Sequence, residues 1–287
     1  MTNPDQHSPT YKLTRRTVPK PLQTTTEDAS IIRDDTLMAV ADGAGGVGIF
    51  AGEWAAHMLQ HLPENPFSNA DDFINWTSQR WEAFYQGIDA LTLTSEVKSK
   101  FIEEGSLATL AVAWLRHAED LTIADVFIYG DSAVILYDPA ANVLRALPDD
   151  LLTYTSNPYL INWKHDPTPE GFRKTTLEVL PGQDLLIVSD AIAQYLLLSF
   201  AVLHTDSDWA TQLADIRQTL PDHRIHGLVG NMIAADTGDM NFFLSVWLPL
   251  LQAMESEAAF KTWTDELYQK GVIVADDYSA LLFRRLY

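Results

Sequence analysis

The stretch TLMAVADGAGG, residues 36–46, decides how this chain is read: six mostly apolar residues run into one carboxylate, Asp42, and four residues with almost no side chain follow. The apolar run predicts a strand, and the small residues behind Asp42 predict a turn whose backbone can approach its neighbours closely. Just upstream, DASIIRDD is another short β-prone run, and Asp34 and Asp35 between the two favour a turn, so the pair reads as a hairpin. With the turn centred near Asp35, antiparallel pairing matches positions whose numbers sum to about 70. That register sets Asp28 beside Asp42, two carboxylates at one end of a hairpin. Downstream, GIFAGEWAAHMLQHL carries apolar residues at 50, 54, 55, 58, 59 and 62, the spacing of an amphipathic helix.

Working outward, DDFINWTSQRWEAFYQGIDAL predicts one further helix, acidic in its first turn, and Trp54, Phe73, Trp76, Trp81 and Phe84 are assigned to the core. GSLATLAVAWLRH predicts a strand, LTIADVFIYGDSAVILYD two strands folded about Gly130 and Asp131, and NVLRAL a continuation of that meander. Residues 148–174 carry four prolines and read as a loop or flap over one edge. TLEVLPGQDLLIVSD follows as strand with a turn at Pro181-Gly182, residues 191–270 show helical periodicity ending at Lys270 and Gly271, and DDYSALLFRRL closes the chain as a strand. Residues 1–23 contain four prolines and no apolar period, so they read as a loose arm, with 24–287 as one domain. The segment 204–255 is an enlarged helical region. This order suits helices packed on the faces of antiparallel sheets.

Composition narrows the function. At 287 residues, 47% hydrophobic and 20% charged, the chain belongs with globular proteins. Its 39 acidic against 19 basic residues give a formal net charge of -20, the wrong field for nucleic acid or an anionic membrane surface. The polar N-terminus has no secretory pattern, and the longest apolar runs, 192–203 and 242–254, fall short of the roughly 20 residues that span hydrocarbon. The expected location is the cytoplasm. With no cysteine, disulfides, thiolate metal sites and thiol nucleophiles are excluded.

Three apolar runs each deliver an aspartate after one small residue: TLMAV-Ala-Asp42, DLLIV-Ser-Asp190 and GVIV-Ala-Asp276. The hairpin adds Glu27 and Asp28, and Asp131 stands at another strand junction. So many carboxylates in one place repel one another and drive proton uptake unless a cation intervenes. An all-oxygen donor set suits Mg²⁺ or Mn²⁺ rather than zinc or copper, and the glycine backbone after Asp42 can add a carbonyl oxygen.

Taken together, Glu27-Asp28, Val40-Ala-Asp-Gly-Ala-Gly-Gly46, Gly105-Ser106, Gly130-Asp131-Ser132, Val188-Ser-Asp190 and Asp276-Asp277-Tyr-Ser-Ala-Leu-Leu-Phe283 resemble, in order and spacing, the motifs of the metal-dependent type 2C (PPM) serine/threonine phosphatases, particularly bacterial members. The resemblance runs from about Thr24 to Leu286. It implies an α+β, four-layer α-β-β-α sandwich of two antiparallel sheets flanked by helices, and a binuclear Mg²⁺ or Mn²⁺ site. By the same resemblance Asp42 bridges both ions, Gly43 gives its carbonyl to one, Asp190 and Asp276 hold the other, Glu27 and Asp28 lie in the inner or water shell, and Asp131 helps hold a third, weaker ion. The implied activity is hydrolysis of phosphoserine and phosphothreonine on a phosphorylated protein substrate by metal-activated water. The alternative is a catalytically weak module that binds phosphorylated partners in a regulatory role.

This chain departs from the family's common pattern at Ala44, Ser106, Ala191 and Asp277. Ala191 narrows backbone freedom beside Asp190, and Asp277 adds negative charge near a site that must admit phosphate, so both point toward slower turnover. Many members grip the phosphate with an arginine near the first strand, for which Arg15, Arg16 and Arg33 are candidates. His223 and His226 have a spacing that could suit a metal, with no third ligand beside them.

Overall fold

The computed structural model describes residues 11–89, 93–235 and 241–286. In chain order the elements are strands β1 (Tyr11–Val18), β2 (Ala29–Arg33) and β3 (Leu37–Ala41); helices α1 (Ala51–Gln60), α2 (Ala70–Ser78), α3 (Trp81–Asp89) and α4 (Ser95–Glu104); strands β4 (Leu107–Ala108), β5 (Leu110–His117), β6 (Thr122–Tyr129), β7 (Ala133–Asp138), β8 (Val143–Leu147), β9 (Ile161–Asn162), β10 (Phe172–Val179) and β11 (Asp184–Val188); helices α5 (Asp190–Leu203), α6 (Asp208–Thr219), α7 (Ile225–Ala235), α8 (Leu248–Ala253) and α9 (Glu257–Gln269); and strand β12 (Tyr278–Arg285).

Two antiparallel five-stranded sheets, ordered β1-β12-β11-β7-β8 and β10-β6-β5-β3-β2, pack face to face. Met38, Val40, Ala111, Ala113 and Ile128 of one sheet meet Val134, Leu185, Ile187, Leu281 and Phe283 of the other in a shared apolar layer. The opposite face of the β3 sheet, with Leu37, Ala39 and Ala41, is covered by α1 to α4 through Trp54, Met58, Phe73, Phe84 and Phe101. The opposite face of the β11 sheet, with Leu186 and Val188, is covered by α5 to α9. Both faces of β3 and β11 are therefore dry, which is why LMAVA and LLIV read as unbroken apolar runs instead of alternating ones. The four-layer arrangement is the one expected.

The hairpin register holds from Ala29↔Ala41 to Arg33↔Leu37, with Asp34 in the left-handed conformation at the turn. Other expectations change. The arm shrinks, because Tyr11–Val18 pairs along its length with β12 as the edge strand of its sheet; residues 1–10 lie outside the described residues. The single helix expected after α1 is two. Near the break, the Thr77 and Ser78 hydroxyls turn back onto the Ile74 carbonyl at 2.8 Å, a competitor for the helical ladder; the last residues of that expected helix, 90–91, lie outside the described residues. The strands on either side of Gly130 and Asp131 do not pair as a hairpin: β6 belongs to one sheet and β7 to the other. Gly130, at φ +106°, turns the chain between them, and a side chain there would strike Thr109 and the Tyr159 carbonyl. Pro181-Gly182 likewise joins strands of different sheets, β10 and β11.

The run GVIV before Asp276 is not a strand. It closes α9: Gly271, left-handed at φ +67°, lets its own N–H reach the Tyr268 carbonyl and that of Val272 reach Leu267, and Val272 and Ile273 bury against the helical layer. The enlarged segment 204–255, described except for 236–240, has a packing role. From Ala191 to Ala201 every residue of α5 is buried, because α6 and α7 cover the side that the sheet does not. Among the described residues no helix is long and apolar enough to cross a membrane.

Candidate active site

Strand ends determine where the carboxylates meet. Asp42 directly follows β3, Asp28 directly precedes its partner β2, Asp131 lies just before β7, Asp190 opens α5 just after β11, and Asp276 lies just before β12. Val188 pairs with both Ala133 and Ala280, so three of these acids sit at one end of one sheet. The hairpin brings the other two there from the facing sheet. A cavity of about 510 Å³ opens at this end, lined by Glu27, Asp42, Gly43, Asp131, Asp190 and Asp276 among others. Asp28 lies buried behind the lining.

Burial dominates the electrostatics. Desolvation lifts Asp42 well above the ordinary carboxylate range, and the charges of Asp28, Asp190, Asp276 and Asp131 push it the same way. Asp28 rises for the same reasons, and Asp131 rises through burial and the charge of Asp190. Asp190 is raised to about 6 by burial and by Asp276, while the Ala191 N–H and the adjacent Asp42 carboxyl pull it back. Asp276 also rises on burial. Glu27, half-exposed, is raised by partial burial and drawn down by Lys20, whose ammonium lies 3.9 Å from it.

Several of these oxygens have no partner. Neither carboxylate oxygen of Asp28, nor Oδ1 of Asp190, accepts a hydrogen bond, although all are enclosed. The Ser279 hydroxyl lies beside Asp28 and favours its ionised form, but its well-aligned bond, at 3.0 Å, is to Thr17. Buried polar atoms are normally satisfied, so unsatisfied carboxylate oxygens ask for a partner the chain does not supply. Carboxylates and a backbone carbonyl are the donor set of a hard divalent cation, and these residues fit one. Among the described residues, no three carboxyl or imidazole groups converge on a single point as they stand.

The glycines after Asp42 answer to a different neighbour than expected. A Cβ at Gly43 would lie 2.5 Å from the Glu27 carbonyl oxygen and 2.9 Å from the Ala51 carbonyl carbon. At Gly45 it would collide with the Glu27 carboxylate at 1.9 Å. The room these residues leave is filled by Glu27, which is thereby held at the rim. The Gly43 carbonyl accepts the Gly45 N–H at 3.0 Å and keeps its second lone pair.

Two expectations near the site are corrected, and a third gains a structural role. Asp277 does add negative charge beside the site, raising Glu27, Asp28 and Asp276, but its two oxygens accept the backbone N–H groups of Lys20 at 2.8 Å and Glu27 at 2.6 Å, which straps the segment between β1 and β2 to the start of β12. Ala191 is the second residue of α5, a helical position that needs no glycine freedom. The arginines do not reach the cavity. Arg33 donates to the Leu62 and Leu59 carbonyls at the end of α1, Arg16 to Arg15 and Glu255 carbonyls, and Arg15 to that of Ser30.

The basic groups lining the cavity are instead Lys20, His223 and Arg224, from the β1–β2 and α6–α7 connections. His223 and His226 do not share a ligand: the His223 Nδ1 accepts the Ile225 N–H, and His226 Nε2 faces the Leu220 carbonyl. Tyr154 to Pro158, with Leu160, form another wall, so the 148–174 loop lies over this site. The Pro-rich composition of the loop signalled irregular backbone, whereas nothing local signalled what it covers.

No protein-family model matches this sequence, and no curated protein is similar to it. Solved structures are. PppA, a key regulatory component of T6SS in Pseudomonas aeruginosa, superposes with a TM-score of 0.50 at 18% identity, over 96% of this chain and 98% of its own. The catalytic domain of the serine/threonine protein phosphatase PstP, in complex with two manganese ions, superposes with a TM-score of 0.51 at 15% identity, over 96% and 99%. At such identities the likeness is one of fold.

Proposed function

We propose that this chain, which has the fold of the metal-dependent type 2C serine/threonine phosphatases, is itself a phosphatase that hydrolyses phosphoserine and phosphothreonine monoesters on proteins. The observation that carries this reading is the set of enclosed, partnerless carboxylate oxygens of Asp28 and Asp190 behind and beside a cavity shared by Asp42, Asp131 and Asp276. Asp42, the Gly43 carbonyl, Asp190 and Asp276 are the groups that would hold two Mn²⁺ or Mg²⁺ ions, with Glu27 and Asp28 in the inner or water shell and Asp131 toward a third. Such ions, when bound, supply charge neutralisation at the phosphoryl oxygens and acidify water.

The chain's own residues do the rest. Ionisation of the crowded carboxyls, opposed by their mutual repulsion, is coupled to ion binding and releases protons. Tyr154, Ser156 and Asn157 offer hydroxyl and amide groups on the facing wall. With no cysteine in the chain, a thiolate nucleophile is excluded, and the proposed reaction uses water as the attacking group, as the resemblance to the type 2C phosphatases implies.

The test is hydrolysis of p-nitrophenyl phosphate and of a phosphothreonine peptide with Mn²⁺, with and without chelator. Metal-dependent turnover that collapses in Asp42→Asn is the expected result. Sustained turnover in that variant, or none in the wild type across divalent metals, overturns the proposal. Phosphopeptide binding without turnover would select the regulatory alternative.

A further inference from the structure

A phosphomonoester must enter a cavity lined by five carboxyls, those of Glu27, Asp42, Asp131, Asp190 and Asp276. Two divalent ions offset four negative charges, so the wall still repels a dianion unless the chain adds positive charge of its own. Lys20 faces Glu27 at 3.9 Å, and its charge also reaches Asp276. Arg224 is not committed: among the described residues its guanidinium makes no hydrogen bond or ion pair, it is exposed, and it lines the cavity. In the cavity lining it shares the wall with Asp131, Asp190 and Asp276, and its positive charge favours the ionised form of each.

We propose that Arg224, presented by the α6–α7 connection, is the residue that grips the substrate's phosphoryl oxygens, the role for which Arg16 and Arg33 are wrongly placed. A planar guanidinium with paired donors matches the phosphate group and keeps its charge at any working pH. The segment 204–255 then does more than cover α5. It completes the site, supplying from far along the chain a cation, unpaired among the described residues, to join Lys20 of the β1–β2 connection. This inference rests on the phosphatase reading for its substrate, but anion binding can be measured without catalysis.

Two measurements on wild type, Arg224→Ala and Arg224→Lys separate the possibilities: the KM for p-nitrophenyl phosphate with Mn²⁺, and the affinity for inorganic phosphate by calorimetry in the same buffer. Arg224→Ala is expected to raise KM and weaken phosphate binding about tenfold, equivalent to about 1.4 kcal/mol. Arg224→Lys recovers part of the loss, since it keeps the charge without the fork. Wild-type turnover with unaltered KM and phosphate affinity in Arg224→Ala sinks the clamp and spares the phosphatase. Weakened phosphate binding in Arg224→Ala alongside an inactive wild type does the reverse. A wild type that binds no phosphate sinks the clamp as well.

Discussion

Replacing Asp190 with asparagine is expected to stabilise the metal-free protein while abolishing much of its response to Mn²⁺. Asp190 titrates at about 6 in the fold, against 3.8 for an ordinary aspartate, chiefly because it is buried and secondly because Asp276 is beside it. A carboxyl whose folded pKa is raised holds its proton more tightly in the native state. Its contribution is therefore fully present below about pH 4 and is lost as pH rises towards about 6. By pH 7.5 the ionised group costs the fold about 3 kcal/mol. The attraction between the carboxylate and the Ala191 N–H at the N-terminus of α5 is already contained in that pKa, so asparagine removes the whole cost. The net gain is about 3 kcal/mol, or roughly 5 °C in melting temperature for a chain of this size. The assay is a thermal melt in chelator at several pH values, repeated with millimolar Mn²⁺. The two proteins should melt together at pH 4 and diverge in favour of the variant by pH 7.5. Mn²⁺ should raise the wild-type melting temperature more than the variant's, because binding to the folded state alone stabilises it. A variant that melts lower than wild type in chelator at pH 7.5, or a difference that does not grow with pH, refutes the reasoning.

Gly43→Ala should cost about 2 kcal/mol or more, since its Cβ meets backbone atoms of Glu27 and Ala51, whereas Gly46→Ala, with nothing within 4 Å, should leave the melting temperature unchanged. Equal effects in chemical denaturation would contradict the packing described. Asp277→Ala should destabilise by about 2–3 kcal/mol by leaving the Lys20 and Glu27 N–H groups unpaired, and should slow metal-dependent turnover by loosening Glu27. Denaturant titration checks the first effect, and unaltered stability would remove Asp277 from the role of strap.

How much of this was legible in the chain depends on the range of the interaction involved. Strand β3, the hairpin register that sets Asp28 opposite Asp42, helix α1 and the Gly271 stop of α9 all follow from contacts a few residues apart, and apolar spacing and turn residues record such contacts directly. The acids could be picked out as strand-end carboxylates for the same reason. Gly130 and Asp131 looked like a hairpin turn because a turn between two sheets uses the same residues as a turn within one, and only packing of the layers tells them apart. Likewise Asp277 and Ala191 were legible as departures but not as a strap and a helical residue.

The sequence by itself determined that apolar strands end in carboxylates at a glycine-rich turn, since local backbone preference and burial both act on neighbours along the chain. Only the tertiary structure decided which basic groups face those carboxylates. Arg33 is spent on the end of α1, while Arg224 arrives from the helical segment that covers α5. Long charged side chains follow no period, and their partners are chosen by the meeting of distant elements, not by the residues beside them.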